Sequence, residues 1–184
     1  HESYINEKNT NSDLAKQFLD ILLNGNTNEA IDLVINSYKN GLTIQKIYKD
    51  VFQACLYEIG RLWEIDEISI AREHYLTAVI QLVMSNLYTF IFKGYRNGKV
   101  VVSACIGNEL HEIGIRMIID FFEIDGWETY YLGANVSNEK IIEEIRDKNA
   151  DILALSTTIE SNVANVKELI HHIRMEKDLK HVKI

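Results

Sequence analysis

The chain reads as an all-α four-helix bundle followed by an α/β domain on a doubly wound parallel sheet. Three observations predict this. Between Ser12 and Phe92, apolar residues recur at helical spacing in four runs separated by short turns. From Val100 onward, short strand-like apolar runs, the first of them β-branched, alternate with helical patterns, as in strands joined by crossover helices. Between them lies the polar stretch Lys93–Lys99, with Gly94 and Gly98, which suits a linker between a domain at 12–93 and another at 99–184.

Each element follows from a local signal. After a polar lead (His1–Asn11), Ser12 can cap a helix carrying Leu14, Phe18, Ile21 and Leu22, ended by Gly25. Thr27 opens a second helix with Ala30, Ile31, Val34 and Ile35, stopped near Gly41. Thr43 begins a third, with Ile44, Ile47, Val51, Cys55, Leu56 and Ile59, and Ser69 a fourth that runs through His74, Ala78, Leu82 and Leu87 to Phe92. In the second half, Val100–Cys105 is a buried strand, followed by a helix from about Leu110 to Glu123 and a turn at Asp125-Gly126. A strand at Glu128–Leu132 precedes a helix from the Ser137 cap to Lys148. A strand at Ile152–Ser156 precedes a helix from about Asn162 to Met175. Residues Val182–Ile184 begin a fourth strand, and a sheet of this kind is expected to continue beyond them.

Composition narrows the function. With 27 Asp and Glu against 19 Lys and Arg, the net charge is −8, and the basic residues are scattered; a nucleic-acid surface is not expected. The two cysteines, Cys55 and Cys105, fall in apolar runs and read as reduced core residues of a cytoplasmic protein. No apolar run reaches the ~18 residues of a membrane span.

The most informative stretch is Val100–Gly114, the first strand and the loop after it, which contains Glu109, His111 and Gly114 at spacings of two and three. A loop at the carboxyl edge of a parallel sheet is where open α/β folds bind ligands. Glu109 can accept a hydrogen bond from one ring nitrogen of His111, fixing the tautomer and turning the other nitrogen toward a metal. Gly114, without a Cβ, lets a flat ligand approach the backbone. One histidine cannot hold a bare ion, but it can supply one axial ligand to a metal held by a macrocycle. Upstream, Trp63 is followed after nine residues by Glu73-His74. Trp63 offers a flat apolar wall, Glu73 an acceptor for hydroxyls or an amine, and His74 a titratable donor. The plainer alternatives are that Trp63 is bundle core and that Glu73 and His74 form a solvated first turn. His171 and His172, near a helix carboxyl end, read as structural.

At these residues the chain resembles the cobalamin-binding domains of methionine synthase, corrinoid methyl carriers and cobalamin-dependent light sensors, whose pattern is Asp-x-His-x-x-Gly. Glu109 stands where that family usually has Asp. The Trp-x9-Glu-His arrangement resembles the helical cap of adenosylcobalamin-dependent photoreceptor regulators. The resemblance implies a Rossmann-like cobalamin domain under a four-helix cap, with His111 as lower cobalt ligand and Glu109, Leu110, Glu112, Ile113 and Gly114 around it. It implies that Trp63, Glu73 and His74 enclose the adenosyl group. It places Leu132, Gly133 and Asn135 beside the corrin rim, and Ser156, Thr157 and Thr158 in the Ser-x-Leu region that holds the nucleotide tail, Thr158 replacing leucine. The family's later Gly-Gly would follow Ile184, so the sheet domain is expected to be incomplete.

The expected function is a non-enzymatic light-sensing module, in which photolysis of the Co–C bond is the signal for transcription regulation through self-association or an output partner. The residue after Trp63 is Glu64, where the best-known photoreceptors have a second cobalt-binding histidine. The alternative, of another class, is a corrinoid carrier passing methyl groups between methyltransferases, with methylcobalamin as the loaded form.

Overall fold

The computed structural model describes residues 3–5, 10–91 and 94–184. The expected helix end at Phe92, the linker's Lys93 and most of the polar lead lie outside them. The chain divides into two compact units, His1–Phe90 and Ile91–Ile184.

The first unit is helical: α1 (Ser12–Leu23), α2 (Thr27–Lys39), a continuous run made of α3 (Ile44–Lys46), a π-helical segment (Ile47–Phe52) and α4 (Gln53–Glu64), and α5 (Ile70–Tyr88). The N-cap of α1 is Asn11 rather than Ser12. Thr43 and Ser69 cap as expected, accepting from the backbone N–H groups of Lys46 at 3.3 Å and Arg72 at 3.2 Å. Gly25 and Gly41 take positive φ just past the ends of α1 and α2, where a Cβ would be strained. α1 packs on α2, the π segment and α4, while α5 packs on α2 and α4. Phe18, Tyr48, Phe52, Ile59, Leu76 and Leu87 are fully buried between them, each contributing about 1.5–3 kcal/mol of apolar transfer. The rings of Phe18 and Phe52 lie 5.3 Å apart. On α5 the buried face is Leu76, Val79, Ile80, Val83, Met84 and Leu87. Ala78 and Leu82 point outward.

The second unit carries β1 (Val100–Cys105), α6 (Ile113–Ile124), β2 (Glu128–Tyr131), α7 (Asn138–Asp147), β3 (Ile152–Ser156), a 3₁₀ turn (Glu160–Asn162) and α8 (Val163–Met175). The strands form a parallel sheet in the order β2-β1-β3, with Val102 beside both Tyr130 and Leu153. Successive β1 residues face opposite sides, so two cores form. Val101 and Cys105 pack with Ile115 and Ile119 of α6. Val102 and Ala104 pack with Ile141 and Ile145 of α7, Leu153 of β3, and Leu169 and Ile173 of α8. Helices on both faces make the sheet doubly wound. Next to β3, Lys183 forms a parallel bridge with Ile152, where a fourth strand was expected.

α6 starts at Ile113, not near Leu110. Residues 110–112 stay in the loop, where the Glu109 side chain accepts the His111 N–H at 2.9 Å. Among the described residues, no helix is long and apolar enough to cross a membrane.

Candidate functional site

The loops after β1 and β3 leave the sheet toward opposite faces, since β1 leads to α6 and β3 to α8. A crevice at the carboxyl edge between two adjacent strands follows from that divergence, and it is the general ligand site of open α/β sheets. Glu109 and His111 come from one loop, and Thr158 from the other.

Their geometry is closely constrained. Glu109 is fully buried, while the His111 side chain is 73% exposed. Glu109 Oε1 accepts from the His111 backbone N–H at 2.9 Å and from the ring Nδ1 at 2.5 Å. Glu109 Oε2 accepts from the Thr158 backbone N–H and, at 2.8 Å, from the Thr158 hydroxyl. Burial pushes the Glu109 carboxyl up, but these four hydrogen bonds outweigh it and bring its pKa down to about 2. The ionised carboxylate only accepts, so Nδ1 must carry the proton. The Nε2 lone pair is then free on an exposed ring, which is the arrangement second-sphere carboxylates impose on metal-binding histidines.

The neighbours allow a flat ligand. A Cβ built on Gly114 would meet nothing within 4 Å. The chain's own packing therefore does not require glycine there, and an outside surface against α6 gives a reason for it. By contrast, Gly107 has φ +69° and its Cβ would fall 2.5 Å from the Asn162 Oδ1, so that glycine serves the fold. Leu110 is 70% exposed beside the imidazole. Leu132 and Gly133 extend the sheet's hydrogen bonding past β2: Leu132 N–H donates to the Ser103 carbonyl at 2.8 Å, and Gly133's carbonyl accepts from Cys105 N–H at 3.0 Å. Asn135 then turns the chain with positive φ. The Ser156 carbonyl accepts from Ile106 N–H at 3.0 Å, and the Thr157 hydroxyl donates to the Ile159 carbonyl at 3.3 Å. Glu112 is the N-cap residue of α6, and Ile113 points into the fold. Among the described residues, no three His, Cys, Asp or Glu side chains gather to hold a bare metal ion. A lone exposed imidazole with a fixed free nitrogen suits a metal that arrives already bound in a macrocycle.

In the helical unit, Trp63 lies at the end of α4 and is 43% exposed, too open for bundle core. Glu73 and His74 lie in the first turns of α5. The Glu73 carboxylate accepts from the Thr77 hydroxyl at 3.0 Å and lies 3.5 Å from the His74 Nε2, whose side chain is 72% exposed. Sequence reasoning placed Thr158 with the nucleotide tail. In the structure its backbone N–H and hydroxyl donate to Glu109, 49 residues away in sequence. The one available signal was a hydroxyl where the family pattern has leucine.

Two family models, each described as a B12 binding domain, match the chain, one over residues 14–88 and the other over residues 99–184. Dimethylamine corrinoid protein 1 of Methanosarcina acetivorans is 20% identical over 158 residues, covering 85% of this chain and 74% of that protein. The D-ornithine 4,5-aminomutase subunit beta of Acetoanaerobium sticklandii is 31% identical over 86 residues, 44% of this chain but only 12% of that subunit. The solved monomethylamine corrinoid protein of Methanosarcina barkeri shares the fold, with a TM-score of 0.80 at 19% identity over 95% of this chain and 83% of that one. The helical unit and the sheet unit are thus each matched by a model described as a B12 binding domain.

Proposed function

We propose that this chain is a corrinoid carrier, with His111 as the lower ligand to the cobalt of a bound cobalamin and with methyltransferases as its partners. The observation that carries the ligand assignment is the Glu109–His111 pair, which frees Nε2 on an exposed ring. When bound, the corrinoid supplies a cobalt centre able to accept a methyl group from one partner and yield it to another. The chain's residues hold and orient: Glu109 keeps the proton on Nδ1, Gly114 leaves the α6 surface clear, and Leu110 offers exposed apolar contact. In this reading the chain carries the group, and its partner methyltransferases do the bond chemistry. The names of the relatives above favour this reading over light sensing, signal transduction or transcription regulation. We place the carrier in the cytoplasm, in keeping with its two free buried cysteines.

One observation supports the photoreceptor reading. Trp63 is exposed at the helix end that precedes Glu73 and His74, as a wall for an adenosyl group requires. In that reading adenosylcobalamin is the bound form, and self-association or an output partner carries the signal.

Titration of the full chain with methylcobalamin and adenosylcobalamin, in darkness and after illumination, separates the two. A carrier binds methylcobalamin at least as tightly and keeps its association state in light. Preferential adenosylcobalamin binding with a light-driven change of mass favours the sensor. In either case His111→Ala removes nitrogen coordination from the spectrum, and an unchanged spectrum refutes the ligand assignment.

A further inference from the structure

Among the described residues, two buried side-chain polar atoms find no hydrogen-bond partner, the Tyr131 hydroxyl and the Asn162 amide nitrogen. A buried donor left unpaired is costly, and phenylalanine would fill the same space without that penalty. A phenol kept at the end of β2 is explained by a partner gained when the loop beside it moves. We propose that Tyr131 is a positioning residue, a latch whose hydroxyl closes on the Glu112 side chain when the loop 106–112 takes up its ligand. The proposal rests on the reading of His111 as the lower ligand to cobalt, and adds to it the device that holds the α6 end of that loop.

Tyr131 lies beside Ser103 of β1, and its ring packs on the α6 face of the sheet against Val101, Cys105, Ile115 and Ile119. Two groups face its hydroxyl, the Glu112 carboxyl and the Cys105 thiol. Burial first, then Glu112 and Cys105, hold the proton on the phenol. The phenol is thus a donor that needs an acceptor. Cys105 is a poor one, a weak sulfur acceptor fixed in the buried strand. Glu112 is a strong one, and it stands at the N-cap of α6 without making a side-chain cap hydrogen bond. It also stands where movement of the loop is felt. Glu112 follows His111 directly, and its own N–H donates to the Leu110 carbonyl at 3.0 Å, so the imidazole and the Glu112 side chain turn on one short piece of backbone. On the other side of His111, Glu109 is fixed by four hydrogen bonds. A metal drawing on the exposed Nε2 therefore shifts the Glu112 side, and that shift brings the carboxyl to the phenol. The hydrogen bond so formed adds to the affinity because it is absent from the unloaded chain.

Tyr131→Phe in the full chain gives two readings. The free protein should melt at the wild-type temperature or above, because the deleted hydroxyl had no partner. Aquocobalamin, followed by its visible spectrum, should bind about five- to tenfold more weakly, the size expected for one buried hydrogen bond. Glu112→Ala and the double variant complete a cycle, in which the double variant should bind no more weakly than Glu112→Ala alone. Losses that multiply in the double variant overturn the latch. A lower melting temperature for unloaded Tyr131→Phe also overturns it, since the bond would then be present before the ligand arrives. A wild-type chain that binds no aquocobalamin brings down the functional reading and the latch together, whereas binding that survives Tyr131→Phe intact brings down the latch alone.

Discussion

Replacing Glu109 with glutamine keeps the size of the side chain but halves its accepting capacity. One carboxylate oxygen becomes an NH₂ group that faces two donors, either those of His111 or those of Thr158. The ring or the hydroxyl can turn to accept, but a backbone N–H cannot, so one buried donor is stranded. The cost can be read from the carboxylate's own ionisation. Its pKa falls from 4.5 to about 2 on folding, which at about 1.4 kcal/mol per unit makes the ionised form worth about 3 kcal/mol. The native value lies below the unfolded one. The contribution is therefore complete above about pH 5 and disappears as pH falls through 2. Urea unfolding tests this, in a Trp63→Phe background so that Trp127, packed edge-on against Phe122 in the sheet unit, alone reports. At pH 7, E109Q should unfold at a midpoint lower by about 2 M urea for a slope near 1.5 kcal/mol/M. At pH 3 the gap should shrink to about half or less. A midpoint unchanged at pH 7, or a gap equal at both pH values, would refute the accounting.

Gly114→Ala should leave thermal stability unchanged or slightly raised, because the added Cβ meets nothing within 4 Å and alanine is the better helix former by about 0.8–1 kcal/mol; the bulkier Gly114→Leu should lose cobalamin in equilibrium dialysis. Wild-type unfolding followed by Trp127 should weaken between pH 5 and pH 2 by an amount that E109Q lacks. Cys55 and Cys105 should resist a thiol reagent in the native protein and react only on denaturation, since both are buried and burial raises both thiols. Trp63→Ala should cost little stability, the residue being 43% exposed, and should weaken adenosylcobalamin more than methylcobalamin only if the light-sensing reading holds.

Much of the fold was legible because the signals are local. The apolar runs of β1 and β3 and the threonine and serine caps at Thr43 and Ser69 each stand within a few residues of what they determine. The pairing of Glu109 with His111 was legible for the same reason, at a separation of two. Thr158 was not, because its meeting with Glu109 is set by the order of strands and by the faces their loops take. The π-helical turn at Ile47–Phe52 was also missed. Its buried residues, Ile47, Tyr48, Val51 and Phe52, keep a spacing that an ordinary helix would share. The late start of α6 goes with the Glu109 side chain accepting the His111 N–H, a local contact two residues apart. The leaning toward a photoreceptor came from three residues in the helical half, whereas relatives over most of the chain are named corrinoid proteins.

The strand that delivers His111 is the middle one of the three, hydrogen-bonded on both sides. Its amides can exchange with heavy water only if a neighbour peels away on one flank or the other, so they should be the slowest of the sheet. Uptake of a bulky guest must then be accommodated by residues 106–112 hinging on a stationary base. Exchange rates should change in that loop and stay flat along Val101–Ala104.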